Sequence, residues 1–389
     1  MILIGEWAEV AADARDERPS AWSRRTILRW TMAGAAAGLA TRAGTTMAQE
    51  ATPAPEPDPE AEEDAESTET VTPGGTPVGS AGKATVYSGR NENLIGPILT
   101  RCEGLTGVDA EVRYGDSPEL AATLLEEGDR SPASLFISQD AGLLGLLAKD
   151  GRLAKLPDDL LNRVNPRFRS PDGLWVGVSG RARVAAYNTD KLKETDLPDS
   201  VLDLVDPRWK GKMGWAPGNA SFQAFVTALR FLKGEDAARA WLDGMIANEP
   251  QAFDSNGPVV RAIGEGEIEL GLVNHYYIYE IKAEEGEDFP VANHFFPAGD
   301  PGSLVNAAGV GLLTSAPDAD QALALAGCLL TTEAQEYFAR KTYEYPLIAG
   351  VAAAEDLPKL EDIESPDIDL SDLSDLEGTQ QLLADVGLL

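Results

Sequence analysis

From Lys83 onward the chain alternates apolar, strand-like runs with helical stretches, and this alternation limits the possible folds more than any other feature. "ATVYSG" (84–89) reads as a strand, and "ENLIGPILTRCEGLTG" (92–107) as a helix ending near glycine. "DAEVRYG" (109–115) reads as a strand. "SPELAATLLEEG" (117–128) reads as a helix with Ser117 at its N-cap and glutamate in its first turn. "ASLFIS" (133–138) is a short buried strand and "AGLLGLLAKDG" (141–151) a helix. Strand and helix in strict alternation predict an α/β sheet with ligands at strand ends. Further on, residues 222–234, 237–248 and 258–268 read as helices. "IELGLVN" (268–274) reads as a strand, and residues 332–347 close the body.

The ends of the chain have a different character. Residues 23–29, "SRRTILR", precede a short run rich in glycine and alanine and then "TMAQE" at 46–50. That order reads as a twin-arginine export signal, residues 1–48, cleaved near Ala48, with an uncleaved N-terminal tether as the alternative. The run is too short and too rich in small residues for a membrane span. The region holds no cysteine, so a lipoprotein anchor is not expected. Residues 49–82 carry nine acids, no base and many prolines, which predicts an extended linker. Residues 351–389 hold eleven acids against Lys359 alone. The net charge of −32 argues against nucleic-acid or anionic-membrane partners.

Two cysteines, Cys102 and Cys328, and two histidines, His275 and His294, offer no spacing for a zinc cluster. The cysteines read as small residues in helix cores. A disulfide between them requires the fold to join positions far apart in sequence.

The chemistry concentrates in two stretches. "GLVNHYYIYE" (271–280) ends a buried strand on Asn274, His275, Tyr276 and Tyr277, and "RARVAAYNTDK" (181–191) ends another on Tyr187. The plain explanation is that tyrosine is a good strand residue. The alternative is a binding site at strand ends. Just before the second stretch, "VSGR" (178–181) forms a small-residue turn whose backbone N–H groups suit an anion. His275 and His294 read as structural. Tyr276 and Tyr277, as strand neighbours, reach one ion only if the strand stops there and the backbone turns.

With these motifs in place, the chain resembles the periplasmic ferric-ion-binding proteins of bacterial ABC iron importers, type II solute-binding proteins with a transferrin-like architecture. The matching stretches are "VYSGR" (86–90), residues 115–142, "VSGRARVAAYNTDK" (178–191), residues 209–230, "LVNHYYIYE" (272–280) and "YEYPLIAGV" (343–351). The resemblance implies two α/β lobes around a cleft. Residues 83–182 plus 307–357 would form the first lobe and 183–306 the second, with the acidic segment 358–389 packing on the body. It implies Fe³⁺ as the transported ligand, bound by Tyr276, Tyr277 and, in one branch, Tyr187. A synergistic carbonate or other small anion would be held by Ser179, Gly180 and Asn274. Arg90 and Arg181 would grip the anion bidentately. Where some members carry a histidine and a glutamate ligand, this chain has Asn91 and Gln139. Glu92, Gln139 and Asn219 are further candidate site residues. The implied partners are an ABC permease and its ATPase, and the protein is expected to be monomeric.

The chemistry agrees with that implication. Fe³⁺ is small and hard and prefers anionic oxygen. Phenol ionises near 10, so a trivalent cation favours the phenolate and binding releases protons. Three phenolates would match three charges. Two other functions remain open at this point: a metal-free receptor for an organic or phosphorus-containing anion, and an exported hydrolase. The second is disfavoured, because the chain shows neither a nucleophile elbow nor a histidine-bearing triad. No enzyme activity is expected.

Overall fold

The computed structural model describes residues 82–389; the expected export signal (1–48) and all but the last residue of the expected linker (49–82) lie outside them. The first strands and helices follow the alternation read from the sequence. They are β1 (Gly82–Ser88), α1 (Glu92–Thr106), β2 (Val108–Tyr114), α2 (Ser117–Glu127), β3 (Leu135–Ser138) and α3 (Ala141–Lys149). α1 starts on Asn91, whose side chain accepts from the Asn93 N–H, and stops at Gly107, where φ is 72°. Only glycine adopts that conformation without strain. A short helix α4 (Asp158–Leu161) leads to the 13-residue β4 (Val176–Asn188).

Ser117 corrects one expectation. The N-cap position of α2 belongs to Asp116, and Ser117 is the first helical residue. Its hydroxyl instead donates to the Gly89 carbonyl at 3.1 Å and accepts from the Gln139 N–H at 3.0 Å. One side chain therefore ties together the loops that follow β1, β2 and β3. The stretch after Tyr187 does not continue into an α-helix. Turn residues and a single 3₁₀ turn, Glu194–Asp196, follow β4 there.

The second half contributes β5 (Met213–Trp215), α5 (Ala220–Lys233), α6 (Glu235–Ala247), β6 (Gln251–Ala252), α7 (Asn256–Gly264), β7 (Leu270–Asn274), α8 (Tyr277–Glu285) and β8 (Val291–His294). The chain then returns through β9 (Val305–Leu312), α9 (Ala319–Leu329) and α10 (Thr332–Lys341), and ends on α11 (Leu376–Asp385). The sheet order is β2-β1-β3-β9-β4-β7-β5-β6, with β8 also on β4. β1, β2 and β3 are parallel, and β9 runs against β3 and β4.

β4 is shared between the two lobes. Val176–Ala182 pairs with β9, and from Arg183 onward the same strand pairs with β7 and β8. Three apolar clusters follow this division. One, around Phe136, Trp175 and Phe338, fills the first lobe. The other two lie in the second lobe, one around Trp215, Phe225 and Trp241 and the other around Val184, Val259 and Val273. The architecture is the expected two-lobed α/β fold.

The cysteines overturn the helix-core expectation. Cys102 on α1 and Cys328 on α9 form a disulfide across a separation of 226 residues. α1 and α9 pack side by side on the outer face of the first lobe, so the fold does join the two distant positions. The C-terminal segment lies across both lobes. Leu370 and Leu373 enter the first-lobe cluster, and Leu382 and Leu383 enter a second-lobe cluster.

Candidate functional site

A cleft of about 810 Å³ opens where the carboxyl ends of β1, β2 and β3 face the carboxyl end of β7. Residues of the three loops after the first-lobe strands line one wall, among them Arg90, Glu92, Tyr114, Asp116 and Gln139. Tyr276, Tyr277 and Glu280 line the other. Strand ends in open α/β sheets collect backbone N–H groups and helix N-termini, and for that reason they hold ligands. A cavity of about 890 Å³ lies elsewhere, between residues 162–168 and 345–361, but it is bordered by loops rather than by strand ends.

The tyrosine pair owes its geometry to a change of backbone. β7 stops at Asn274, Tyr276 already has helical φ −72° and ψ −21°, and α8 begins at Tyr277. The turn abolishes the strand alternation that would send the two side chains to opposite faces. The rings instead stack with centroids 4.4 Å apart and planes 26° from parallel. Tyr276 is 3% exposed. Burial, and then the neighbouring Tyr277, push its phenol well above the ordinary value of 10, while Arg181 acts the other way. Without a cation, Tyr276 is therefore neutral at physiological pH.

His275 holds this turn in place. Its Nδ1 accepts from the Ala182 N–H at 3.1 Å, so Nε2 carries the proton and donates to the Tyr343 carbonyl at 2.7 Å. Tyr343 has φ 54°, a left-handed conformation that costs a non-glycine residue energy. Burial lowers the His275 pKa to about 4. The unfolded chain takes that proton near pH 6.5, and the folded chain resists it. Stability present above pH 6.5 is thus lost as pH falls toward 4, by up to about 3 kcal/mol. Urea midpoints measured from pH 7 to 4 should show that loss in the iron-free protein, and His275→Gln should flatten it.

Several residues expected to bind the anion are committed to a buried network. Arg90 donates to Ser179 Oγ at 2.7 Å and to Glu344 Oε2 at 2.6 Å. Ser179 Oγ donates to Glu344 Oε1 at 3.0 Å, and Thr342 donates to Oε2 at 2.8 Å. Burial alone would raise the Glu344 carboxyl, but Arg90 and these hydrogen bonds hold it below its ordinary value. The Gly180 N–H donates to the Tyr345 carbonyl at 2.8 Å. Arg90, Ser179 and Gly180 therefore join the strand crossing to the segment at 342–345 and do not form a free anion nest. The reason is Glu344, an acid that sequence position alone did not place beside them.

Arg181 and Asn274 sit differently. With Arg183, Ser221, Leu304 and Asn306 they border a small cavity at the lobe crossing. Arg181 donates to the Gln139 carbonyl, and its Nε has no partner. Arg183, absent from the sequence-based set, is 2% exposed and faces no carboxylate. It donates to Ser221 Oγ at 3.3 Å and to the Leu272 carbonyl at 3.0 Å, and lies over the Phe222 and Phe225 rings. Burial lowers its pKa to about 9. Arg181 has Asp140 and Glu344 near it, but Arg183 has no carboxylate partner, and a small anion beside it would offset a buried charge. Asn219 caps α5 and accepts from Ser221 N–H and Oγ, which positions Ser221 rather than the cleft.

Tyr187 is a correction. β4 and β7 are antiparallel, with Arg183 opposite Asn274 and Tyr187 opposite Leu270. The carboxyl end of β4 thus lies beside the amino end of β7, roughly 13 Å along the strands from the tyrosine pair. Tyr187 packs at the edge of a second-lobe core. It does not share the cleft.

Tyr114, Asp116 and Glu280 were missed by the sequence reading. Tyr114 and Asp116 frame Gly115 in the loop after β2, and the strand-end tyrosine was the available signal. Glu280 lies one turn beyond the tyrosines on α8, so only the helical start of that segment reveals it. Burial, with Glu344 and Glu284, raises its carboxyl pKa to about 7. Among the described residues, no three His, Cys, Asp or Glu side chains gather closely enough to hold a metal, so a metal in this cleft would need the tyrosines.

Two α/β lobes joined by a shared strand, with a polar cleft at the crossing, define a solute-binding protein of the periplasmic type. The chain belongs to the family of bacterial extracellular solute-binding proteins, whose model matches residues 130–372. It is 33% identical over 306 residues to the Fe(3+)-binding periplasmic protein of Serratia marcescens, covering 78% of this chain and 90% of that one. The structure of iron-bound HitA from Pseudomonas aeruginosa superposes with a TM-score of 0.74 at 34% identity, covering 79% of this chain and 99% of that one. A Trichodesmium protein in complex with iron and citrate superposes with a TM-score of 0.70 at 27% identity, covering 79% and 100%.

Proposed function

We propose that this protein captures ferric iron outside the cytoplasm and delivers it to an ABC permease with its ATPase. The observation that carries this reading is the stacked pair Tyr276 and Tyr277, aimed into the cleft between the lobes. Two phenols on one wall offer the hard anionic oxygen that Fe³⁺ selects. The relatives named for ferric iron, and the iron-bound structures among the neighbours, support the same assignment.

In this reading Tyr276 and Tyr277 bind as phenolates, each releasing a proton. Arg181 and Asn274, with Arg183 behind them, hold carbonate or another small anion that completes the coordination. Closure of the lobes brings the Glu92 wall toward the ion. Capture and release are binding steps, and no bond of a substrate is broken. The twin-arginine route, an extracytoplasmic location and a monomeric state belong to the same proposal.

The test is a visible spectrum of the mature protein titrated with ferric citrate. Phenolate bound to Fe³⁺ gives an intense reddish charge-transfer band. The expected result is one band saturating at one iron per chain. Tyr187→Phe should leave both the band and the affinity within about twofold of wild type, since its ring lies outside the cleft. No band in the intact protein, with or without carbonate, would move the assignment to a metal-free anion.

A further inference from the structure

Two phenolates leave one positive charge of Fe³⁺ unmatched by protein, because Tyr187 lies at the far end of the sheet. The side chains that could supply a third anion are few. Glu92 is exposed at the start of α1. Tyr114 faces α1: a Cβ placed on Gly96 would stand 3.4 Å from its hydroxyl. Its oxygen therefore leans over that helix. Asp116 is on the same first-lobe wall and makes no cap hydrogen bond.

Glu280 is placed differently. It follows Tyr276 by four residues and Tyr277 by three, the spacings that put side chains on one helix face. Its backbone N–H donates to the Tyr276 carbonyl at 3.2 Å, so the first turn of α8 is intact. It lines the same wall of the cleft as the two rings. The charges nearest to it are the acids Glu344 and Glu284, and no cation offsets it. On the same wall, Tyr276 is almost wholly buried, with Tyr277 as its hydrogen-bond partner and Arg181 and Glu344 acting on its phenol from farther away. A carboxylate without a cation, on the same helix face and the same cleft wall as two phenols, is an arrangement that a small cation completes.

We propose that Glu280 supplies the third anionic oxygen to the ferric ion, in place of a third phenolate. This rests on the ferric reading above. Two Fe–phenolate bonds form as two phenol protons leave to solvent, and one Fe–carboxylate bond forms from a carboxylate lone pair. Iron remains ferric throughout. The protein then presents three negative charges, all from one ten-residue segment of the second lobe. Iron can load onto that wall before the lobes close.

The experiment compares wild type, Glu280→Gln and Tyr114→Phe by ferric citrate titration, followed by competition with excess citrate. Glu280→Gln keeps the shape of the side chain and removes its charge. The expected result is a retained phenolate band shifted to longer wavelength, since a less neutralised iron draws more charge from the phenolates. Affinity should fall by at least about 100-fold, the upper end of what outer-sphere partners of a metal cost. Glu280→Asp, which withdraws the carboxylate by one methylene, should fall between and serves if the glutamine variant melts early. Wild-type affinity and an unshifted band in Glu280→Gln would overturn the assignment while leaving the ferric reading intact. A loss confined to Tyr114→Phe would overturn it in favour of the opposite wall. No band in wild type would remove both readings together.

Discussion

Tyr276→Phe should abolish tight ferric binding while leaving the fold unchanged. The substitution deletes one oxygen whose side-chain hydrogen bond goes to the adjacent tyrosine. The iron-free protein loses no hydrogen bond to the rest of the structure, so its urea midpoint should shift by less than about 0.5 kcal/mol. Ferric affinity should fall by well over 100-fold, because a direct ligand contributes more than the outer partners that orient it. Tyr277→Phe should behave alike, and the double variant should be colourless. The measurement is citrate competition read at the charge-transfer band. A Tyr276→Phe protein that keeps its colour and resists citrate as wild type does would show that the pair only packs.

Loss of the disulfide should have the largest effect on stability. Cys102 and Cys328 close a loop of 226 residues, most of the described body. In the chain-entropy account a loop of that length restricts the unfolded state by about 5 kcal/mol. That is comparable with the whole stability of an ordinary domain. Cys102→Ser with Cys328→Ser should lower the unfolding midpoint by that order, and reduction before denaturation should reproduce it in wild type. Both sulfurs are nearly inaccessible, Cys102 at 0% and Cys328 at 5% exposure, so reduction of the folded protein should be slow. A midpoint equal in oxidised and reduced protein would show that the unfolded chain is already constrained by other means.

The strand crossing is held by groups that take no part in iron binding. The pair Arg90–Glu344 is buried, with Ser179 and Thr342 satisfying the remaining carboxylate sites. Such a pair adds little net stability, but removing one partner leaves a stranded charge. It fixes the strand β4 to the segment at 342–345, the same segment whose Tyr343 carbonyl receives His275. The turn that presents the tyrosines is thus braced from the chain crossing and not from the cleft.

Local pattern was enough for much of the first lobe. The helices at 92–106, 117–127 and 141–149 and the strands between them fall where apolar period and glycine stops place them. The return strand β9, "VNAAGVGL", was not legible. Its glycines are demanded by close packing rather than by propensity: a Cβ on Gly309 would meet Leu144 and the Val176 carbonyl within 2.8 Å. β5 and β6, at three and two residues, are too short to show a period.

The α/β alternation, the apolar strands and the two adjacent tyrosines at a strand end were readable from local pattern, because they depend on residues near one another in the chain. Which of the candidates share a cleft depends on how the chain folds back on itself. Antiparallel pairing of β4 with β7 sent Tyr187 to the far end of the sheet. Glu344, 254 residues after Arg90, took the donors that were expected to face an anion. Cys102 met Cys328 because α1 and α9 lie side by side. Each of these outcomes depends on strand direction or on contacts between distant segments, which local periodicity does not encode.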